Sequence, residues 1–72
     1  MTAEERRAIV LQSINDLFAE LGRPLKIREI ARRSDLPLGT THRHVIRLWV
    51  QGKCERLQYL ERGGSIKPVE HN

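Results

Sequence analysis

The sequence predicts a mainly α fold with a small β-hairpin, an α+β arrangement of three helices followed by two short strands. Three observations predict it. Residues 3–21 carry apolar side chains at helical spacing between a start and a stop signal. Residues 27–52 hold two short amphipathic stretches on either side of the turn Ser34-Asp35-Leu36-Pro37. Beyond Gly52, two short runs flank Gly63-Gly64, a pair that can adopt positive φ at both positions and so closes a tight hairpin. With 72 residues the chain can bury one small core, so residues 1–72 are expected to form one domain. One Trp, one Tyr and one Phe leave that core to Leu, Ile and Val.

The first helix, about residues 3–21, starts at a capping-box pattern, Thr2 with Glu5 three residues on, and stops at Gly22 followed by Pro24. Its stripe is Val10, Ile14, Leu17 and Leu21, flanked by Leu11 and Phe18. Fully burying each large member contributes roughly 1.5–3 kcal/mol, so this face is assigned to the core. Leu25 to Ile27 reads as a short extended piece able to join a later hairpin. A second helix of about residues 27–33 buries Ile27, Ile30 and Ala31 and turns Arg28, Arg32 and Arg33 outward. Two turns are marginal in isolation, so it depends on packing.

Leu36 is expected to plug the core between helices, and Pro37 suits the start of a third helix because it has no N–H to orphan there. That helix, about residues 37–51, ends at Gly52 as a left-handed cap. At 100° per residue, Thr41, Val45 and Leu48 share one face with His44 and Trp49 on its borders, and Thr40, Arg43, Arg47 and Val50 point the other way. Gly39, near its start, permits close approach to a backbone. The hairpin occupies about residues 53–69, with strands over 53–60 and 65–69, and residues 70–72 form a frayed tail.

Net charge is +4, but its distribution says more. Residues 22–53 hold eight Lys and Arg against two acids, a local surplus of +6, while residues 1–21 are net −2. A surplus of that kind favours a polyanion through counterion release. Cys54 is the only cysteine, which fits a reducing compartment and allows no disulfide within the chain. No apolar run approaches the roughly 18 residues of a membrane span, and the start Met1-Thr2-Ala3-Glu4-Glu5 is unlike a signal peptide. A cytoplasmic, nucleoid-associated location is expected, with no membrane partner.

Catalytic signals are missing: there is no Gly-rich phosphate loop, nucleophile elbow or His-Glu-x-x-His helix. His42 and His44 diverge by about 200° on a helix, so they cannot chelate one ion. His44 is read as structural, and Cys54 as a buried thiol. Neither an enzyme nor a cofactor or metal is expected.

The stretch L-K-I-R-E-I-A-R-R-S-D-L-P-L-G-T-T-H-R-H-V-I-R-L-W-V-Q-G-K resembles the winged helix-turn-helix domains of prokaryotic or phage transcriptional regulators, in particular the IclR family. It does so through Glu29-Ile30-Ala31, Leu36-Pro37, Thr40 with Arg43, and Leu48 with Gly52. The chain also looks like small stand-alone winged-helix regulators of pilus operons. The resemblance implies double-stranded DNA as partner, with the third helix in the major groove and the hairpin on flanking DNA. Thr40 and Arg43 then fall on contact positions, with Gly39, His42 and Arg47 on the same helix. Arg43 and Arg47 suit guanine O6 and N7, or phosphate. Arg28, Arg32 and Arg33 would lie along the backbone beside the groove, and Arg62 and Lys67 would serve as wing contacts.

His44 departs from the pattern, standing where relatives usually have Leu, and Ile46, Trp49 and Val50 are apolar for the outer half of such a helix. That apolar side supports an alternative: a surface for a protein partner or a second copy, or an accessory subunit of a nucleic-acid-processing complex.

Overall fold

The computed structural model describes residues 1–57 and 65–69. Helix α1 (Ala3–Leu21) begins at Thr2, whose hydroxyl accepts the Glu5 N–H at 3.1 Å while the Glu5 carboxylate accepts the Thr2 N–H. It ends at Gly22, which takes φ +64 and donates its N–H to Phe18 O at 2.9 Å, a left-handed cap that any side chain would strain. Val10 and Ile14 are fully buried, and Leu11, Leu17 and Phe18 pack beside them. Leu21, expected to continue the stripe, is 44% exposed, because the helix's last turn runs past the core contacts of Leu17 and Phe18.

Helix α2 (Ile27–Ser34) closes at Asp35, which adopts φ +56. The Asp35 N–H donates to Arg32 O and the Leu36 N–H to Ala31 O, the double bond pattern of a Schellman end. Aspartate tolerates this left-handed conformation better than most side chains. The cap turns Leu36 back against the core, the role its place in the turn predicts. Helix α3 (Leu38–Val50) starts one residue after Pro37, whose carbonyl accepts both the N–H and the hydroxyl of Thr41. It ends in a second Schellman pattern, Gly52 N–H to Trp49 O and Lys53 N–H to Leu48 O, with Gly52 at φ +74.

Strands β1 (Cys54–Leu57) and β2 (Ser65–Pro68) pair antiparallel, with Cys54 opposite Pro68 and Arg56 opposite Ile66. Leu25 bonds Ile66 in both directions at 2.7 Å, so the extended piece before α2 adds a single antiparallel bridge to the far side of β2. Described strand residues are fewer than the expected spans. The Gly63-Gly64 turn, the residues from Gln58 to Leu60 and the 70–72 tail lie outside the described residues.

Each element contributes to one apolar cluster: Val10 and Ile14 from α1, Ile30 from α2, Val45 and Leu48 from α3, with Leu25, Cys54 and Ile66 closing the hairpin side. A buried polar contact joins α1 to α2 beside it. Buried Ser34 donates to Ser13 Oγ at 2.9 Å, and Ser13 donates to Ile9 O, so α1 and α2 are joined by satisfied hydroxyls.

Candidate nucleic-acid interface

Packing fixes how α3 is rolled. Thr41, His44, Val45 and Leu48 are buried against the rest of the fold, which leaves Gly39, His42, Arg43 and Arg47 exposed and Thr40 half-buried. The helix contains no acidic residue, so its outward guanidinium groups meet no carboxylate on their own element. Pro37 supplies no side-chain acceptor, and no acid stands in the first turn, so the N-terminal N–H groups of α3 lack a side-chain cap.

Exposed Arg28 and Arg32 of α2 line, with Leu38 and Asp35, the shallow depression where α2 passes into α3. Among the described residues no acidic group lies within ion-pair distance of Arg28, Arg32, Arg43 or Arg47. Arg28 and Arg32 thus stand beside the start of α3, which itself carries partial positive charge, while Arg43 and Arg47 are exposed at mid-helix and in its last turn.

Three further cations, Arg33, Arg23 and Lys67, are engaged with acids of the chain. Arg33, expected outward with its neighbours, reaches across to α1 and binds the Glu20 carboxylate through both terminal nitrogens. Arg33 is exposed, as expected, but its guanidinium is directed at the Glu20 carboxylate of α1. Arg23 grips Glu29 at 2.7 and 2.9 Å. That bond, helped by the Lys26 N–H, holds the Glu29 carboxyl down at about 2. Lys67 lies within β2 opposite Glu55 and pairs with it at 3.3 Å, with its side chain 23% exposed. Arg62 lies outside the described residues.

The remaining candidates divide by burial. His44 is buried on the inner side of α3, where desolvation first, and then Arg7 and Arg6 of α1, push its pKa below the ordinary value. His42 is exposed, so the two imidazoles occupy different environments. Cys54 is 2% exposed, its Sγ is 3.8 Å from Val45 O, and burial raises its pKa to about 11, which keeps it an unreactive thiol. No group of metal-binding side chains is found among the described residues. No helix among them is long and apolar enough to cross a membrane.

Of the apolar candidates, Ile46 is half-buried, Val50 is 72% exposed and Trp49 is 43% exposed. The Arg56 guanidinium of β1 lies 5.9 Å from the centroid of the Trp49 ring, tying the end of α3 to the hairpin. Sequence reasoning left Arg56 aside. The signal that could have found it is its register, two residues beyond buried Cys54 and thus on the inward face of the strand.

A family model described as the IclR helix-turn-helix domain matches residues 16–63, about two thirds of the chain. No curated protein and no solved structure gives a significant match.

Proposed function

We propose, from the premise that this chain belongs to the family of the IclR helix-turn-helix domain, a DNA-binding domain of transcription regulators, that α3 enters the major groove of duplex DNA and reads sequence there. Arg43, exposed at mid-helix with no carboxylate beside it, is the side chain we assign to a guanine edge, where a planar guanidinium can bond O6 and N7 together. Thr40 and Gly39 bring the same turn close to the backbone, and Arg47, one turn on, adds a base or phosphate contact. His42 belongs to this exposed set.

Arg28 and Arg32 take phosphates beside the groove, as do the uncapped N–H groups at the start of α3. The hairpin faces flanking DNA, with Arg62 and Lys67 as its cations, Lys67 shared with Glu55. Arg33 is assigned to Glu20 and to the integrity of the fold. Binding of this kind regulates transcription most simply by occluding or recruiting at a promoter.

The observation that carries the reading is the set of four arginines on α2 and α3 with no acidic partner among the described residues. Fluorescence-polarisation titration with a random-sequence duplex at two salt concentrations tests it. Binding should weaken steeply as salt rises, because each neutralised phosphate releases counterions. No complex at low salt would overturn it.

The exposure of Trp49 and Val50 favours a second reading, in which this side of α3 binds a protein or a second copy. Val50→Ser separates the two. It leaves duplex affinity unchanged under the first reading, and abolishes association with the partner or copy under the second.

A further inference from the structure

We propose that Arg56 is an additional phosphate-binding residue, held in place by the Trp49 ring at the junction of α3 with the hairpin. This rests on the duplex-binding reading above and extends it to a position that reading did not use.

In the antiparallel register Arg56 stands opposite Ile66 and two residues from Cys54, both buried, so its stem leaves the strand on the face turned toward the core. Glu55 and Lys67, opposite each other on the other face, pair together at 3.3 Å. The acid adjacent in sequence is thereby kept from Arg56. Among the described residues Arg56 has no carboxylate within ion-pair distance, and it stands over the ring of Trp49.

A guanidinium on the inner face of a strand would be expected to bury its stem and bring its head out to water. Here Arg56 is half-buried and its head stands over an indole that is itself 43% exposed. A ring accepts no strong hydrogen bond, so a guanidinium held beside one keeps N–H donors that fit two oxygens of a phosphate. Because the ring limits the rotamers open to Arg56, less side-chain entropy is lost when the phosphate binds. Trp49 is in this sense a positioning residue, and Arg56 the contact.

The test uses the full chain and a random-sequence duplex, with affinity measured by polarisation over a salt series. Arg56→Ala should weaken binding about tenfold, the lower end for a hydrogen bond to a charged group, and reduce the slope of log affinity against log salt by about 0.9. The loss should be the same on every duplex sequence. Trp49→Leu removes no charge and should still weaken binding. A purely structural stack would leave affinity and slope unchanged once folding is confirmed by thermal melting, and that result overturns the proposal. Trp49 is the only tryptophan, so the unaltered protein gives a second readout. Its emission should change on saturation with duplex and recover when salt dissociates the complex. Unchanged emission at saturation overturns the proposal even if a variant fails to fold. If the unaltered chain forms no complex, the duplex reading itself falls and this contact with it, an outcome distinct from binding that ignores Arg56.

Discussion

Arg32 and Arg33 are neighbours on one short helix, yet Arg33 is tied across to Glu20 of α1 while Arg32 faces solvent beside Arg28 with no acidic partner among the described residues. The same contrast holds more widely. On the α1–α2 side, Arg33 meets Glu20, Arg23 meets Glu29 and the hydroxyls of Ser13 and Ser34 meet each other. On the exposed faces of α2 and α3, Arg28, Arg32, Arg43 and Arg47 have no acidic partner among the described residues. Charge matched within the chain holds elements together, and charge left unmatched is available to an external polyanion. The total of +4 conceals this division.

The largest expected effect breaks the platform under both surfaces. Leu48, 1% exposed on the inner face of α3, should cost about 2–5 kcal/mol when truncated to Ala, since a cavity remains where α3 meets the core. Chemical denaturation measures the loss, and duplex binding should fall with the folded population. A shift much below that range would place α3 on a softer seat than the packing indicates.

Arg43→Ala acts on the unmatched side alone. Duplex affinity should drop by about 1–3 kcal/mol on a preferred sequence and less on others, with the melting temperature unchanged. Equal loss on every sequence would move Arg43 from base to phosphate. On the matched side, Ser13→Ala strands the buried Ser34 hydroxyl and should cost about 1–3 kcal/mol of stability without altering the salt slope of duplex binding.

Titration sharpens the contrast from inside the fold. Burial lowers the His44 pKa from 6.5, so the unfolded chain takes up the proton first, and His44 supports stability above about pH 6.5 that is lost as pH falls further. Melting temperature should therefore start to drop below that pH, and His44→Leu should flatten the first part of the fall. Glu29, held at about 2 by Arg23 and the Lys26 N–H, adds stability that is complete above about 4.5 and disappears as pH approaches 2. Glu29→Gln should flatten that lower arm. Glu29 is paired with Arg23 and His44 is buried on the inner side of α3, so neither variant should change the salt dependence of binding at neutral pH.

Much of this was legible in the sequence because local rules and burial agreed. Thr2 with Glu5 and Gly22 bounded α1, Gly52 marked the end of α3, and 100° spacing assigned Thr41, Val45 and Leu48 inward. Leu25 was readable as extended, and Ile66 supplies the partner that its bridge required. What escaped depended on distance in sequence. Nothing near Arg33 indicated that Glu20, thirteen residues earlier, would come within reach, and nothing near Ser13 indicated Ser34. Leu21 shared the stripe of Ile14, but periodicity cannot say where the surface beneath a helix ends. Arg56 lies outside the basic stretch of residues 22–53, and only the strand register and the roll of α3 place it over Trp49.

The contrast between matched and unmatched cations is tested most directly by one pair of variants, Arg32→Gln and Arg33→Gln, compared with the unaltered chain in a salt series of duplex titrations. Both remove one charge from adjacent positions, so any difference reports where the charge was directed. Arg32→Gln should lower the slope of log affinity against log salt by about 0.9, as expected for one phosphate contact, while Arg33→Gln leaves it unchanged. Equal reductions for the two, or a larger one for Arg33→Gln, would contradict the account.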